Sequence, residues 1–400
     1  MRIEGRPDLG LLTYCTNIHP GESWPALLYS LHLHVLAVKR MVSPDRPFGL
    51  GLRISAEAAD ALIHPQALDE LHAFLAETDT YCFTVNGFPY GSFHGARVKE
   101  NVYAPDWSTA ERLTYTNRLA DILAEILPAD VPMGSISTVP GSFKGWMEEE
   151  GRLDRIVENF VSHVAHLVDI ERRTGRHIAL ALEPEPCCLL ETIEETVEFF
   201  EDGLFAGAAR KHLANATGLS DADCEAALRR HIGVCYDVCH AAIEFEDPRR
   251  SVMALKDAGI SIPKLQLSSA LRIHRMDDGM AAALMPFDET TYLHQVVERT
   301  PGGLVRYLDL PEALAKSDRA AGHEWRVHFH VPVFLHDLAA FSTTQAFLGE
   351  ILALHREDPI APHLEVETYT WDVLPDEYRA VAVSEAIARE LDWVADELLR

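Results

Sequence analysis

The residue types able to do chemistry sit at the ends of short apolar runs. In "IALALEPEP", residues 178–186, the apolar residues give way to Glu183 and Glu185, each followed by a proline. "IGVCYD" at 232 ends on Asp237 with His240 three residues later, "PKLQLS" at 263 carries Gln266, and "LEVETY" at 364 carries Glu365 and Glu367. Carboxylates from three runs, brought to one partly desolvated place, repel one another, and a divalent cation is the simplest way to offset that repulsion. Oxygen ligands with one or two imidazoles suit Mn²⁺, Mg²⁺, Co²⁺ or Zn²⁺ alike. The prolines cannot donate to a further ladder bond, so they end the strand and fix the backbone that aims each glutamate.

Four histidines outside those runs are further candidates. His19 in "NIHPGE" follows the first apolar run, which places it at a strand exit or, more blandly, in the turn before the first helix. His94 lies in "FPYGSFHG", where Phe88 and Tyr90 could stack on a sugar face or pack within the loop itself. His328 and His330 in "VHFHVP" are two apart, so in a strand both imidazoles face one side as a clamp for metal or substrate, or as rim packing.

These residues need a scaffold that gathers strand ends. Eight runs qualify as strands: "LLTYC" at 11, "FGLGLRI" at 48, "YCFTVN" at 81, "VPMGSIS" at 131, "IALALE" at 178, "IGVCYD", "PKLQLS" and "LEVETY". Nearly every one is followed by a segment with helical spacing, namely 23–42, 56–77, 108–127, 151–174, 191–213, 248–258, 341–356 and 376–399. Cap signals mark several starts: Ser23 before Pro25, Ser108 and Thr109 before Glu111, and Pro375 with Asp376 and Glu377. Eight βα units predict an α/β fold, a (β/α)8 TIM barrel, with function at the C-terminal ends of the strands. An open doubly wound sheet competes, but its first strand-to-helix turn would want G-x-G-x-x-G, and the chain reads "CTNIHPGESW". Residues 1–400 are expected to form one domain, with an insertion at about 270–338 after the seventh strand. There "LVRYLDLP" and "WRVHFHVPVF" are expected to pair as a hairpin, and residues 85–107 to form a long third loop; both would sit over the barrel mouth.

Composition narrows the partners. The chain has 35 Lys and Arg against 62 Asp and Glu, a formal net charge of -27, which repels a polyphosphate backbone and argues against a nucleic-acid partner. No apolar run approaches the roughly 20 residues that a membrane span needs, and the first residues lack a signal-like pattern, so a cytoplasmic location is expected. Seven cysteines without CxxC pairing are expected to be reduced and to pack as small hydrophobes.

The segments resemble a known group. "LEPEP" is similar to the "EPKP" of xylose isomerases, and "CYDVCH" to the acidic-x-x-His pair of xylose-isomerase-like barrels, which include sugar epimerases and endonuclease IV. Across most of the chain, "LTYCTNIHPGESW", "VNGFPYGSFHG", "VKENVYAPDW", "WRVHFHVPVF" and "LEVETYTWDVLP" resemble the EboE group of metabolite traffic proteins. The resemblance implies that Glu183, Asp237, Gln266 and Glu367 hold the metal, with Gln266 standing where the epimerases usually carry His. It further implies that Glu183 and Glu367 double as catalytic base and acid. His240 would reach substrate or a second metal, and Glu185 stands in place of the Lys of "EPKP". The substrate-facing set is then His19, His94, Glu185, His240, His328 and His330, around a sugar, cyclitol or phosphate ester. The expected function is a metal-dependent isomerase or epimerase serving secondary-metabolite precursor synthesis or traffic, with a homo-oligomer compatible. The alternatives are a non-catalytic metabolite carrier and a multimetal hydrolase of the endonuclease IV type.

Overall fold

The eight apolar runs form parallel strands because both faces of each are covered, which is why they read as continuous runs rather than alternations. In the computed structural model, which describes residues 1–95, 97–338, 340–375 and 381–400, the first seven are β1 (Leu11–Tyr14), β2 (Phe48–Arg53), β3 (Thr80–Asn86), β4 (Gly134–Thr138), β5 (Ile178–Leu182), β6 (Ile232–Asp237) and β7 (Lys264–Leu267). The insertion contributes β8 (Leu271–Ile273), β9 (Val296–Thr300), β10 (Gly303–Tyr307), β11 (Glu324–Val327), β12 (Asp337–Leu338) and β13 (Phe341–Thr343), and β14 (His363–Val366) is the eighth barrel strand. Within the barrel strands every residue except Tyr81 is buried. The order β1-β14-β7-β6-β5-β4-β3-β2 is closed into a barrel by a parallel bridge from Cys15 to Gly51.

Register sets the level of the polar side chains. Gln266 pairs with Glu365 on one side and Asp237 on the other, so three strand ends align at one height. Helices pack outside; Arg152–Thr174, for example, turns Ile156, Phe160, Val164 and Leu167 inward at helical spacing.

The insertion is larger than the expected hairpin. It is a six-stranded antiparallel sheet in the order β10-β9-β11-β8-β13-β12. The segments expected to pair with each other, β10 and β11, instead flank β9, which pairs with both. The reason is "VVERT": its two valines are too short a signal to read as a strand, yet it fills the central place and joins β10 through a tight turn at Pro301 and Gly302. "HFH" also leaves the ladder after Val327. His328 and His330 still share a side, because Phe329 turns the other way to pack on Phe287 and His294.

Several helices are shorter than their periodic patterns. Pro65 starts a second helix within 56–77, giving Ala56–Leu62 and Pro65–Glu77, because a proline lacks the donor that a continuing helix needs. Segment 191–213 divides into Ile193–Phe199 and Gly207–Thr217 with a wider turn between them, and Phe341–Thr343 is a strand that precedes the helix Gln345–Glu357. Thr109 caps its helix by accepting from the Arg112 amide, whereas Ser23 occupies a cap position without making the bond. The last helix runs Val383–Leu399; the start expected at Asp376 and Glu377 lies outside the described residues. All seven cysteines are free, and only Cys187 is less than buried. No helix among the described residues is long and apolar enough to cross a membrane.

Candidate metal centre at the barrel mouth

Glu183 leaves β5 with its amide still bonded to the Thr138 carbonyl, and Glu367 leaves β14 with its amide on the Leu267 carbonyl. The ladder therefore persists one residue beyond each strand and aims both carboxylates over the barrel. Asp237 ends β6 as a helix cap: its Oδ1 accepts from the His240 amide at 3.0 Å and from Ser268 Oγ at 2.8 Å. Ligand atoms of Glu183, Asp237 and Glu367 all lie within 4.8 Å of one another.

Several polar atoms at this centre lack partners. Glu183 Oε2, Asp237 Oδ2 and both amide atoms of Gln266 make no hydrogen bond to the described residues, although all are buried. Buried acceptors without donors are costly, and a cation supplies what no side chain does. Glu367 Oε1 is held by Asn17 Nδ2 at 2.6 Å and Asn86 Nδ2 at 3.2 Å. Glu185 points to the neighbouring side, where Oε1 accepts from Tyr103 at 2.7 Å and from Gln295 at 3.1 Å.

Electrostatics follow from this crowding. Burial, then the charges of Glu367 and Asp237, push Glu183 well above the carboxylate range. Burial and Asp237 push Glu367 up to about 7, against the nearby Gln266 amide, which holds it down without reaching hydrogen-bond geometry. Burial also raises Glu185, against His240, Tyr103 and Gln295. Burial works against charge on His240, but Asp237, Glu185 and Glu367 outweigh it and raise its pKa. His328 and His330 are pulled down by burial, His330 to about 4. Beneath the carboxylates, Lys264 meets Glu365 at 2.5 Å in the closed interior of the barrel.

A raised carboxylate pKa sets the sign of a pH effect. Glu367 binds a proton more tightly folded than unfolded, so its favourable contribution is complete below its unfolded pKa and is lost as pH rises through about 7. In metal-free protein, Glu367→Gln is therefore expected to melt above the parent at about pH 8, with the gap closing by about pH 4. Thermal melts in chelator across that range check this, and a gap independent of pH would contradict it.

The space over the centre is about 50 Å³, lined by Asn17, Glu183, Glu185, His240, His328 and Glu367 among others. That holds an ion and a few waters, each needing about 10–15 Å³, and is well short of the roughly 300–1,000 Å³ of small-molecule sites. Its roof is aromatic: Phe93, Tyr292 and Tyr369 have ring centroids 5.0 to 5.4 Å apart. Lys99 of the third loop ties that roof to the insertion through Asp309 at 2.6 Å. Admission of a sugar-sized molecule requires this roof to lift. A larger cavity of about 720 Å³ opens at the opposite end, beside Met133, Pro263 and Pro362. Its cations Arg229, Arg230, Arg249 and Lys256 are each paired with a carboxylate.

Glu183, Glu185, Asp237, His240, His328, His330 and Glu367 thus meet in one buried cluster, with Gln266 between Asp237 and Glu365. His19 and His94 do not line the central space. His19 bonds Tyr14 at 3.0 Å and stacks on His34, while His94 sits 2.7 Å from the Asn17 carbonyl oxygen. Sequence reasoning passed over Asn17, Asn86, Tyr103, Gln295 and Tyr369. Asn86 carries the signal used for the carboxylates, a polar residue closing an apolar run; Gln295 carries none.

The whole chain has the fold of xylose-isomerase-like TIM barrels. It is similar to such a protein from Mycobacterium smegmatis, solved in complex with magnesium, at 10% identity over 97% of this chain and 96% of that one, with a TM-score of 0.51. A xylose isomerase domain protein from Planctomyces limnophilus aligns at 11% identity over 96% of this chain and 95% of that one, TM-score 0.49. A D-tagatose 3-epimerase-like protein aligns at 13% identity over 98% of this chain and 100% of that one, TM-score 0.46. No protein-family model and no curated protein matches the chain. At these identities the likeness is one of fold.

Proposed function

With the xylose-isomerase-like barrel as premise, we propose that the chain is a metal-dependent isomerase or epimerase of a small polar metabolite: a sugar, a cyclitol or one of their phosphate esters. The observation that carries this is the trio Glu183, Asp237 and Glu367, whose ligand atoms lie within 4.8 Å at the C-terminal mouth of the barrel, with unpartnered oxygens turned inward. Glu183, Asp237, Gln266 and Glu367 fit a divalent cation of the Mn²⁺, Mg²⁺, Co²⁺ or Zn²⁺ class, and a barrel of this fold takes magnesium. Bound there, the ion would polarise adjacent hydroxyl and carbonyl oxygens of the substrate and so acidify the carbon between them.

The chain's own residues supply the rest. Glu183 follows β5 and Glu367 follows β14, with β6 and β7 between them, so the two carboxylates approach from different sides of the mouth. One removes the proton from carbon and the other returns a proton to the opposite face, which inverts the centre; return to the neighbouring carbon, with the hydroxyl proton passing from one oxygen to the other, isomerises it instead. Burial and crowding raise the proton affinity of both carboxylates, Glu367 to about 7, close to the operating pH that proton transfer favours. Asn17 and Asn86 fix Glu367. The aromatic roof excludes water once closed. The resemblance of its segments to the EboE group supports reading such a step as part of secondary-metabolite precursor synthesis or traffic.

The test is exchange. Metal-reconstituted protein, incubated in deuterium oxide with a panel of ketoses, cyclitols and their phosphates, is expected to incorporate deuterium at one carbon of one class, read by proton NMR. Binding of a panel member without exchange would favour the carrier reading and remove the enzymatic one.

A further inference from the structure

The cavity at the far end of the barrel has the room that the mouth lacks. Its volume of about 720 Å³ falls within the roughly 300–1,000 Å³ of small-molecule sites. Its walls follow from local sequence. Pro263 and Pro362 stand directly before β7 and β14, where a proline offers ring carbons and no donor. The helix Pro248–Asp257 adds Val252 and Met253, and Leu354 reaches the same space from the helix Gln345–Glu357. Met253 is 44% exposed, so the hydrocarbon of this wall meets water. A concave apolar surface rimmed by charged groups is the usual form of a ligand groove.

Charge selects the occupant. The chain carries 35 Lys and Arg against 62 Asp and Glu. Around this cavity the balance is inverted: Arg229, Arg230, Arg249 and Lys256 line it against only two carboxylates, Glu357 and Asp358. Two of the four cations are committed to the fold. Arg229 donates to Glu225 and to the carbonyl oxygens of Ala258 and Gly259, and its guanidinium carbon lies 4.1 Å from the centre of the Phe205 ring. Arg230 is held by Glu171 through two of its nitrogens.

Arg249 and Lys256 are held differently. With Met253 between them they recur every three or four residues, on one face of their helix. Their partners Glu357 and Asp358, at 3.4 and 2.7 Å, belong to the end and the cap of the neighbouring helix. All four of these side chains are at least 63% exposed. Ion pairs so open to water contribute little. A ligand's anionic head can therefore take the place of Glu357 and Asp358 at both cations, while its apolar part covers the wall below.

We propose that this cavity is a second binding site, for an amphipathic anion: an apolar body against Met133, Val252, Ile260 and Ile262, and a carboxylate or phosphate head at Arg249 and Lys256. The mouth discriminates the other way, since Glu183, Asp237 and Glu367 repel an anion that no metal meets. The cavity adjoins the starts of β7 and β14, whereas those carboxylates stand at strand exits. The assignment holds whether the chain is an isomerase or a carrier.

Two dyes that share one ring system test this on the full chain. Anilinonaphthalene sulfonate carries an anionic head, and phenylnaphthylamine is the same skeleton without it. The sulfonate is expected to bind at one saturable equivalent per chain, about 10-fold more tightly than the uncharged dye, with an advantage that shrinks as salt is raised. Arg249→Ala combined with Lys256→Ala should remove that advantage and leave the uncharged dye unaffected. Met253→Asp, at an exposed position, should weaken both. Decanoate and decyl phosphate should displace the sulfonate, the stronger competitor naming the head; displacement by neither would overturn the ligand class. Methyl NMR of protein labelled at methionine gives a reading independent of variants. Of the eight methionines, the two that line the cavity, Met133 and Met253, should shift as dye binds. Equal affinity for the two dyes, or shifts confined to other methionines, would overturn the site. Dye binding that falls with rising protein concentration as the chain dimerises, followed by sedimentation, would give this face to a second copy instead.

Discussion

Glu183→Gln is expected to slow deuterium exchange by roughly 10²–10⁴-fold, the range that a positioned general base or acid contributes, while the metal-free chain melts no lower than the parent. Both halves come from the same geometry. The glutamine keeps the shape of the side chain at the end of β5 but can neither take a proton from carbon nor offset a dication. It also deletes a carboxylate that burial, Glu367 and Asp237 make costly, and whose Oε2 has no partner among the described residues. Loss of that charge relieves the metal-free protein, so a fall in exchange accompanied by an equal or higher melting temperature separates chemistry from unfolding. Exchange rates on the responding substrate, with melts in chelator, are the measurements. Parent-like exchange in metal-loaded Glu183→Gln would remove Glu183 from the reaction.

The barrel and its carboxylates were legible for one physical reason. A strand covered on both faces is written in apolar and small residues, so its end is visible where Glu183, Asp237 or Glu367 interrupts the run. Once eight such runs are counted, closure puts those ends together without any knowledge of register. The insertion resists this reading because β9, which lies between β10 and β11, has only two valines before Glu298 and Arg299, and its place is decided by pairing with both of them. Gln295, one residue before β9, reaches Glu185 and His328 only through that pairing. His328 and His330 were visible as a pair two apart; that their Nε2 atoms meet His240 depends on the chain leaving the sheet after Val327. His19 and His94 show the limit of position alone. A histidine just past a strand can turn aside, as His19 does toward Tyr14 and His34.

Lys264, to which sequence reading gave no role within the run "PKLQLS", governs the floor of the site. It is fully buried, 2.5 Å from Glu365 and 3.2 Å from Ser137 Oγ. Glu365 in turn fits only because residue 51 is glycine, since a Cβ there would fall 1.8 Å from its Oε1. Lys264→Met is expected to cost about 3–5 kcal/mol of unfolding free energy, because breaking one side of a buried pair strands the other charge. Lys264→Met combined with Glu365→Gln should recover most of that loss, since it removes both charges and keeps both volumes. The recovered chain should still differ from the parent in one respect. Lys264 holds down the pKa of Glu183, so without it that carboxylate ionises at higher pH, whereas at Glu367 the simultaneous loss of Glu365, which raises its pKa, offsets the loss of Lys264. The pH at which metal binding is half complete should then move upward in the double variant. Urea denaturation reads the first effect and calorimetric metal titration across pH the second. A double variant no more stable than Lys264→Met would sink the ion-pair account, and an unmoved metal-binding midpoint would confine Lys264 to holding the barrel together.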